Sequence, residues 1–135
     1  MNLKERNRIM SKIATTIEQS KKLIELGIDV NTADMVYLLD ITMPNGQCRL
    51  LPKDDFAAND GDNLQAWGFT ALLSLVPIPH SLIIFDKNVY KAHTNKLLEK
   101  NGYKLICVEH TTNAYEDPFD AVFEAVKWLL ENKKI

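Results

Sequence analysis

A chain of 135 residues carrying a net charge of −2, with 46% hydrophobic and 25% charged residues, has the composition of a globular protein and is long enough to bury one sizeable core. Its near-neutral balance supplies no field that draws it to nucleic acid or to an anionic membrane, and its apolar runs, 71–79 and 81–85, are too short to cross a bilayer. The first residues hold Lys4, Glu5, Arg6 and Arg8 with no apolar stretch of a secretory signal, and two distant cysteines, Cys48 and Cys107, read as reduced thiols of a cytoplasmic protein.

Along the chain, Ile9, Met10, Ile13, Ile17 and Ile24 fall on one helical face. Thr16 with Gln19, and Thr15 with Glu18, form capping-box pairs. The segment is therefore either one helix over about 4–26 or an added N-terminal helix over 1–14 followed by a second that starts at Thr16. Gly27 supplies the residue that accepts a left-handed conformation after a helix end. Asp29-Val30-Asn31-Thr32 is turn chemistry. Residues 35–42 and 47–51, joined through Pro44-Asn45-Gly46, predict a hairpin. The stretch 52–63, with Asp54, Asp55, Asp60 and Asp62 around Gly61, reads as an exposed loop. Within 64–76 the spacing predicts a short helix over 69–75, which Pro77 and Pro79 end.

Residues 81–85 read as a buried strand. The stretch from 89 to 109 admits two readings. Residues 89–100 as a helix and 103–109 as a strand would make a βαβ unit over 81–109, and adjacent Leu97 and Leu98 favour that helix. Alternatively Asn101-Gly102, the preferred two-residue turn, joins two antiparallel strands. A crossover of twelve residues is near the minimum for a parallel connection, so the antiparallel version is the leading one.

The closing segment is the most regular. Asp117 caps, and Pro118 sits where helices accept proline. Phe119, Val122, Phe123, Val126, Leu129 and Leu130 then form one apolar stripe. Ala121, Ala125 and Trp128 form a second strip on another side, with Asp120, Glu124, Lys127 and Glu131 between. Tryptophan is enriched where proteins meet. The strip is thus the candidate interaction surface, covered either within the monomer or by a partner or second copy in a homodimer.

Candidates for chemistry are sparse. The acidic loop lacks calcium-loop spacing: with Gly61 in the glycine position, Phe56, Ala58 and Trp67 stand where ligands belong. His80, His93 and His110 show no metal-ligand spacing. If the strand over 103–109 is regular, Cys107 and Glu109 share a face and His110 lies on the other. With five glycines and no phosphate-loop or nucleophile-elbow pattern, no cofactor, metal or catalytic group is assigned. The alternative, a hydrolase or metal-dependent enzyme, would have to gather its site from Asp54, Asp60, His80, Cys107 and His110. Lys4, Arg6, Arg8 and Lys12 are a candidate phosphate contact, but no aromatic residues alternate with them, which makes nucleic acid an unfavoured partner.

Three segments carry a resemblance. They are Thr16-Ile17-Glu18-Gln19-Ser20-Lys21-Lys22-Leu23 with Glu25-Leu26-Gly27 and Asn31-Thr32-Ala33-Asp34-Met35; Ala66-Trp67 with Ala71-Leu72-Leu73-Ser74-Leu75-Val76-Pro77; and Asp117-Pro118, Asp120-Ala121 and Trp128-Leu129-Leu130-Glu131-Asn132. Together these resemble a group of small proteins common in bacterial prophages and mobile elements, notably of gut bacteria, with no assigned activity. The likeness covers about half the chain and leaves out the first fourteen residues and the stretch between Ile83 and Val108. It implies a compact α+β domain and no catalytic residues, because the shared positions are caps, turns and core.

The expectation is one α+β domain over 1–135: a small, mostly antiparallel sheet of three to five strands, packed by helices over 16–26 and 119–132. Functionally it is a non-catalytic protein-interaction module.

Overall fold

The computed structural model describes residues 13–39, 48–55, 63–76, 81–85 and 89–135. The proposed added helix, the turn at Pro44-Asn45-Gly46 and most of the acidic loop lie outside the described residues. The architecture is α+β with antiparallel sheets, and the chain divides into two compact units, Met1–Ala71 and Leu72–Ile135. Each holds its own three-stranded sheet, where the sequence suggests a single one.

In the first unit, helix α1 spans Ile17–Glu25. The Thr16 side chain accepts from Gln19 N at 3.1 Å, and Gln19 Oε1 accepts from Thr16 N at 3.0 Å, closing the expected capping box. Ala14 is extended and bridges to Gly68, so no helix runs through Thr15. The buried face of α1 holds Ser20 and Leu23, not the isoleucine line: Ile13 is 70% exposed. Gly27, at φ +93°, ends the helix as its type predicts. A single 3-10 turn, Val30–Thr32, comes next under an Asp29 cap.

Strand β1 (Met35–Leu39) lies between β2 (Cys48–Pro52) and β3 (Asn63–Ala66), antiparallel to both. Val36, Leu38 and Leu51 form a small buried cluster, with Val36 and Leu38 two apart on one face of β1. After β3, which the sequence hides inside a supposed loop and helix start, Trp67 is fully buried. Its N–H donates to Thr15 Oγ1 at 3.0 Å, its carbonyl accepts from Thr15 N at 2.9 Å, and its indole N–H donates to Thr32 Oγ1 at 2.9 Å. Thr15 Oγ1 also lies 2.7 Å from the Ser20 hydroxyl, and Gly68 N donates to Asp34 Oδ1 at 2.7 Å. A Cβ on Gly68 would stand 2.8 Å from Asp34 Oδ2, so a larger residue there would have to displace the Asp34 carboxylate. This polar lattice around one indole pins the segment before α1 to the end of β3.

Helix α2 (Phe69–Leu75) matches its expected bounds and runs across the division between the units. The second unit's sheet has the order β4-β5-β6, with β4 at Ser81–Phe85, β5 at Val89–Lys100 and β6 at Tyr103–Thr111, all antiparallel. The βαβ reading of 81–109 is therefore corrected: residues 89–100 are a strand. Asn101 and Gly102 have φ of +53° and +79°. Both positive values are what the tight hairpin turn requires, and Lys100 pairs with Tyr103 across it.

Helix α3 (Pro118–Glu131) starts where expected, with Asp117 Oδ1 accepting from Phe119 N at 2.9 Å. It packs on β5 and β4. All six residues of its main stripe are buried, as are Ala121 and Ala125. Lys127 bridges Glu124 and Glu131 at 3.7 and 3.9 Å on the polar sector.

Candidate functional site

Two features of the second unit stand out from its core: a polar cleft beside α3 and an exposed stretch of the β5–β6 hairpin. Between them lies one irregularity. Asn95 pairs with Val108 but Thr94 with His110, so Glu109 is an extra residue in β6. Such a bulge bends the strand and re-aims the side chains beyond it. It also overturns the face assignment made for a regular strand. Lys96 pairs with Cys107 and Thr94 with His110, and Thr94 and Lys96 are two apart, so Cys107 and His110 share a face. Glu109 instead meets Lys134 at 2.9 Å.

On that shared face, Ala92 packs against Ala121 and Ala125, with Tyr90 and Tyr115 at the margin. His110 stacks on Trp128, ring centroids 4.4 Å apart and planes within 3°. The candidate strip Ala121–Ala125–Trp128 is thus met from within the unit. The two alanines, 0% and 1% exposed, offer no surface, because small side chains on both sides let helix and sheet approach closely. Trp128 stays half-buried.

Beside the stack, His110, Thr111, Thr112, Asn113, Tyr115, Glu124, Trp128 and Glu131 line a cleft of about 140 Å³. Burial, with Glu124 and Asp120 adding to it, raises the Tyr115 phenol above its ordinary value, so Tyr115 is a neutral hydrogen-bonding group there at pH 7. Small-molecule sites usually span about 300–1,000 Å³ with mostly apolar walls; this cleft is smaller and polar. Of the five residues an enzyme would need, His110 alone among the described residues lines it. Cys107 is half-buried on β6, Asp54 is exposed in the other unit, and Asp60 and His80 lie outside the described residues. His93 Nδ1 lies 2.7 Å from Thr111 Oγ1 across the strands. Among the described residues no group of three or more His, Cys, Asp or Glu converges as a metal site would require. The basic residues Lys4–Lys12 also lie outside the described residues.

The hairpin differs. Every residue from 96 to 106 is exposed, yet the stretch is rich in large apolar side chains. Leu97 faces Ile106 on one side of the ribbon, and Leu98 faces Leu105 on the other. Their exposures are 50%, 55%, 42% and 52%, joined by Val108 at 56% and Tyr103 at 73%. A two-stranded ribbon is marginal alone in water, and apolar pairs left open on both faces are unusual for a monomer. β6 is also an edge strand of its sheet. The sequence offers these residues as a helix followed by a strand or as a hairpin and leaves their exposure open, because exposure is not written in apolar character. No helix among the described residues is long and apolar enough to cross a membrane. No family model, curated protein or solved structure matches this chain.

Proposed function

We propose that this chain is a non-catalytic protein-interaction module whose contact element is the β5–β6 ribbon over residues 96–108. The observation that carries this is the set of apolar pairs left open on both faces of the ribbon, Leu97–Ile106 and Leu98–Leu105. Burying such surface on association is favourable at roughly 25 cal/mol per Å², and nothing in the ribbon is arranged for bond-making. The interaction surface moves from the α3 strip to the ribbon, while Trp128 borders its root through the His110 stack. The free thiols of Cys48 and Cys107 fit a reducing, cytoplasmic setting. The resemblance to prophage and mobile-element proteins supports that origin for the module.

A photo-cross-linking amino acid at position 106, with the same group at exposed Glu25 as control, tests the reading in cells. Discrete cross-linked species from position 106 and none from position 25 are expected. Equal, diffuse yields from both positions would remove the ribbon as a contact element.

A further inference from the structure

We infer that the partner of one ribbon face is a second copy of this chain, packed face to face through Leu97, Ile106 and Val108. This rests on the reading of the ribbon as a contact element. The two faces differ in charge. The pairing register puts Asn95–Val108, Leu97–Ile106 and Glu99–Lys104 on one face, and Lys96–Cys107, Leu98–Leu105 and Lys100–Tyr103 on the other. The second face carries two lysines and no acid, so a two-fold contact through it sets like charges together. The first face is apolar in the middle and carries one acid and one base side by side at its tip.

That arrangement is complementary to itself. A two-fold axis running along the strands, between two stacked ribbons, exchanges the β5 and β6 positions. Leu97 then lies over the second copy's Ile106, Glu99 over its Lys104, and Lys104 over its Glu99. Side chains from facing sheets interdigitate at a spacing of about 10 Å. Both outcomes, apolar on apolar and acid on base, come from one operator, and isologous contacts require that self-matching.

Size sets the strength. Three aliphatic side chains at 50%, 55% and 56% exposure present on the order of 300 Å² of apolar surface, the scale at which an exposed patch carries a role. Two such faces with their charged rims stay below about 1,200 Å² in total, the small end for specific contacts. The dimer is therefore weak, with a dissociation constant in the micromolar range or above.

The test is sedimentation equilibrium on the full chain from about 1 µM to 1 mM, with Glu99→Lys and Lys104→Glu measured separately and then mixed. Each single variant places four like charges in its own homodimer and is expected to lose about tenfold or more in self-affinity, an effect that salt screens. An equimolar mixture sets two lysines against two glutamates and is expected to regain wild-type affinity within about threefold. Each variant alone keeps two like charges on neighbouring strands, so a defect of folding would not be repaired by mixing. A wild-type chain that stays monomeric throughout, single variants that associate like wild type, or a mixture no tighter than its parts overturns the assignment. If the position-106 probe still captures a different protein from cells, only the second-copy assignment fails; if it captures nothing, the contact reading fails as well.

Discussion

Replacing Trp67 with alanine is expected to cost about 3–5 kcal/mol of folding stability, the range for removing a large aromatic from a core. Three terms add. The indole is 0% exposed, so its whole transfer energy is lost. The cavity it leaves is bounded by backbone already fixed to Thr15 and Gly68 and cannot collapse freely. The Thr32 hydroxyl also loses its indole donor. Trp67→Phe separates these effects: it keeps most of the volume and is expected to cost about 1–3 kcal/mol, chiefly from the unmade hydrogen bond and the shape change. Urea unfolding followed by far-ultraviolet circular dichroism measures both. At a typical slope of about 1–3 kcal/mol per molar, the alanine variant shifts the midpoint by roughly 1 M or more. A loss under about 1 kcal/mol would show that the polar lattice around the indole does not hold the first unit together.

Ala125→Glu tests the second unit in the same spirit. Ala125 is 1% exposed and packed with Ala92 and Ala121, so a glutamate there enters a space sized for a methyl group. Burial disfavours an ionised carboxylate by up to 3–5 pKa units, each about 1.4 kcal/mol, which puts the expected loss near 4 kcal/mol at pH 7. Linkage gives the sign with pH. The folded state raises the new carboxyl's pKa above its unfolded value of about 4.3, so the penalty is complete above the raised value and fades as pH falls toward 4.3. Part of the deficit, the steric part, persists at low pH. Stability matching wild type at pH 7 would mean that Ala125 faces open space, and the strip Ala121–Ala125–Trp128 would return as a surface.

These two sites show what a sequence can and cannot say. Capping and turn chemistry are local, and they were legible: Thr16 with Gln19, Gly27, Asn101-Gly102 and Asp117-Pro118 all act where their types predict. Helix α2 was legible because Pro77 and Pro79 follow Phe69–Leu75 closely and end it. Strand β3 was not, since four residues, Asn63–Ala66, give alternation too little length to register against an acidic loop and an adjoining helix. The ribbon is the instructive case: its antiparallel hairpin was the leading reading, but its exposure was not legible. Alternation reveals a strand when one face is buried and the other wet; here both faces are open, so Leu97 and Leu98 can both be apolar and imitate a helix.

The strip on α3 was legible only in part, for a different reason. Periodicity showed that α3 has a second apolar side, but the groups that meet it are Ala92, Tyr90 and His110, which are distant in sequence. The shared face of Cys107 and His110 depends on the extra residue at Glu109, and no composition rule announces a bulge.

Read as a contact element, residues 96–108 are left apolar and open so that another surface can close over them. Amide hydrogen exchange across that ribbon measures this most directly, comparing dilute purified protein with protein concentrated toward 1 mM or returned to a cell extract. Amides of 96–108 are expected to exchange fast when dilute, as befits a marginal two-stranded ribbon, and to slow by about tenfold or more on association, while amides of α3 do not change. Ribbon amides as protected in dilute solution as those of α3, and unmoved by concentration or extract, would contradict it.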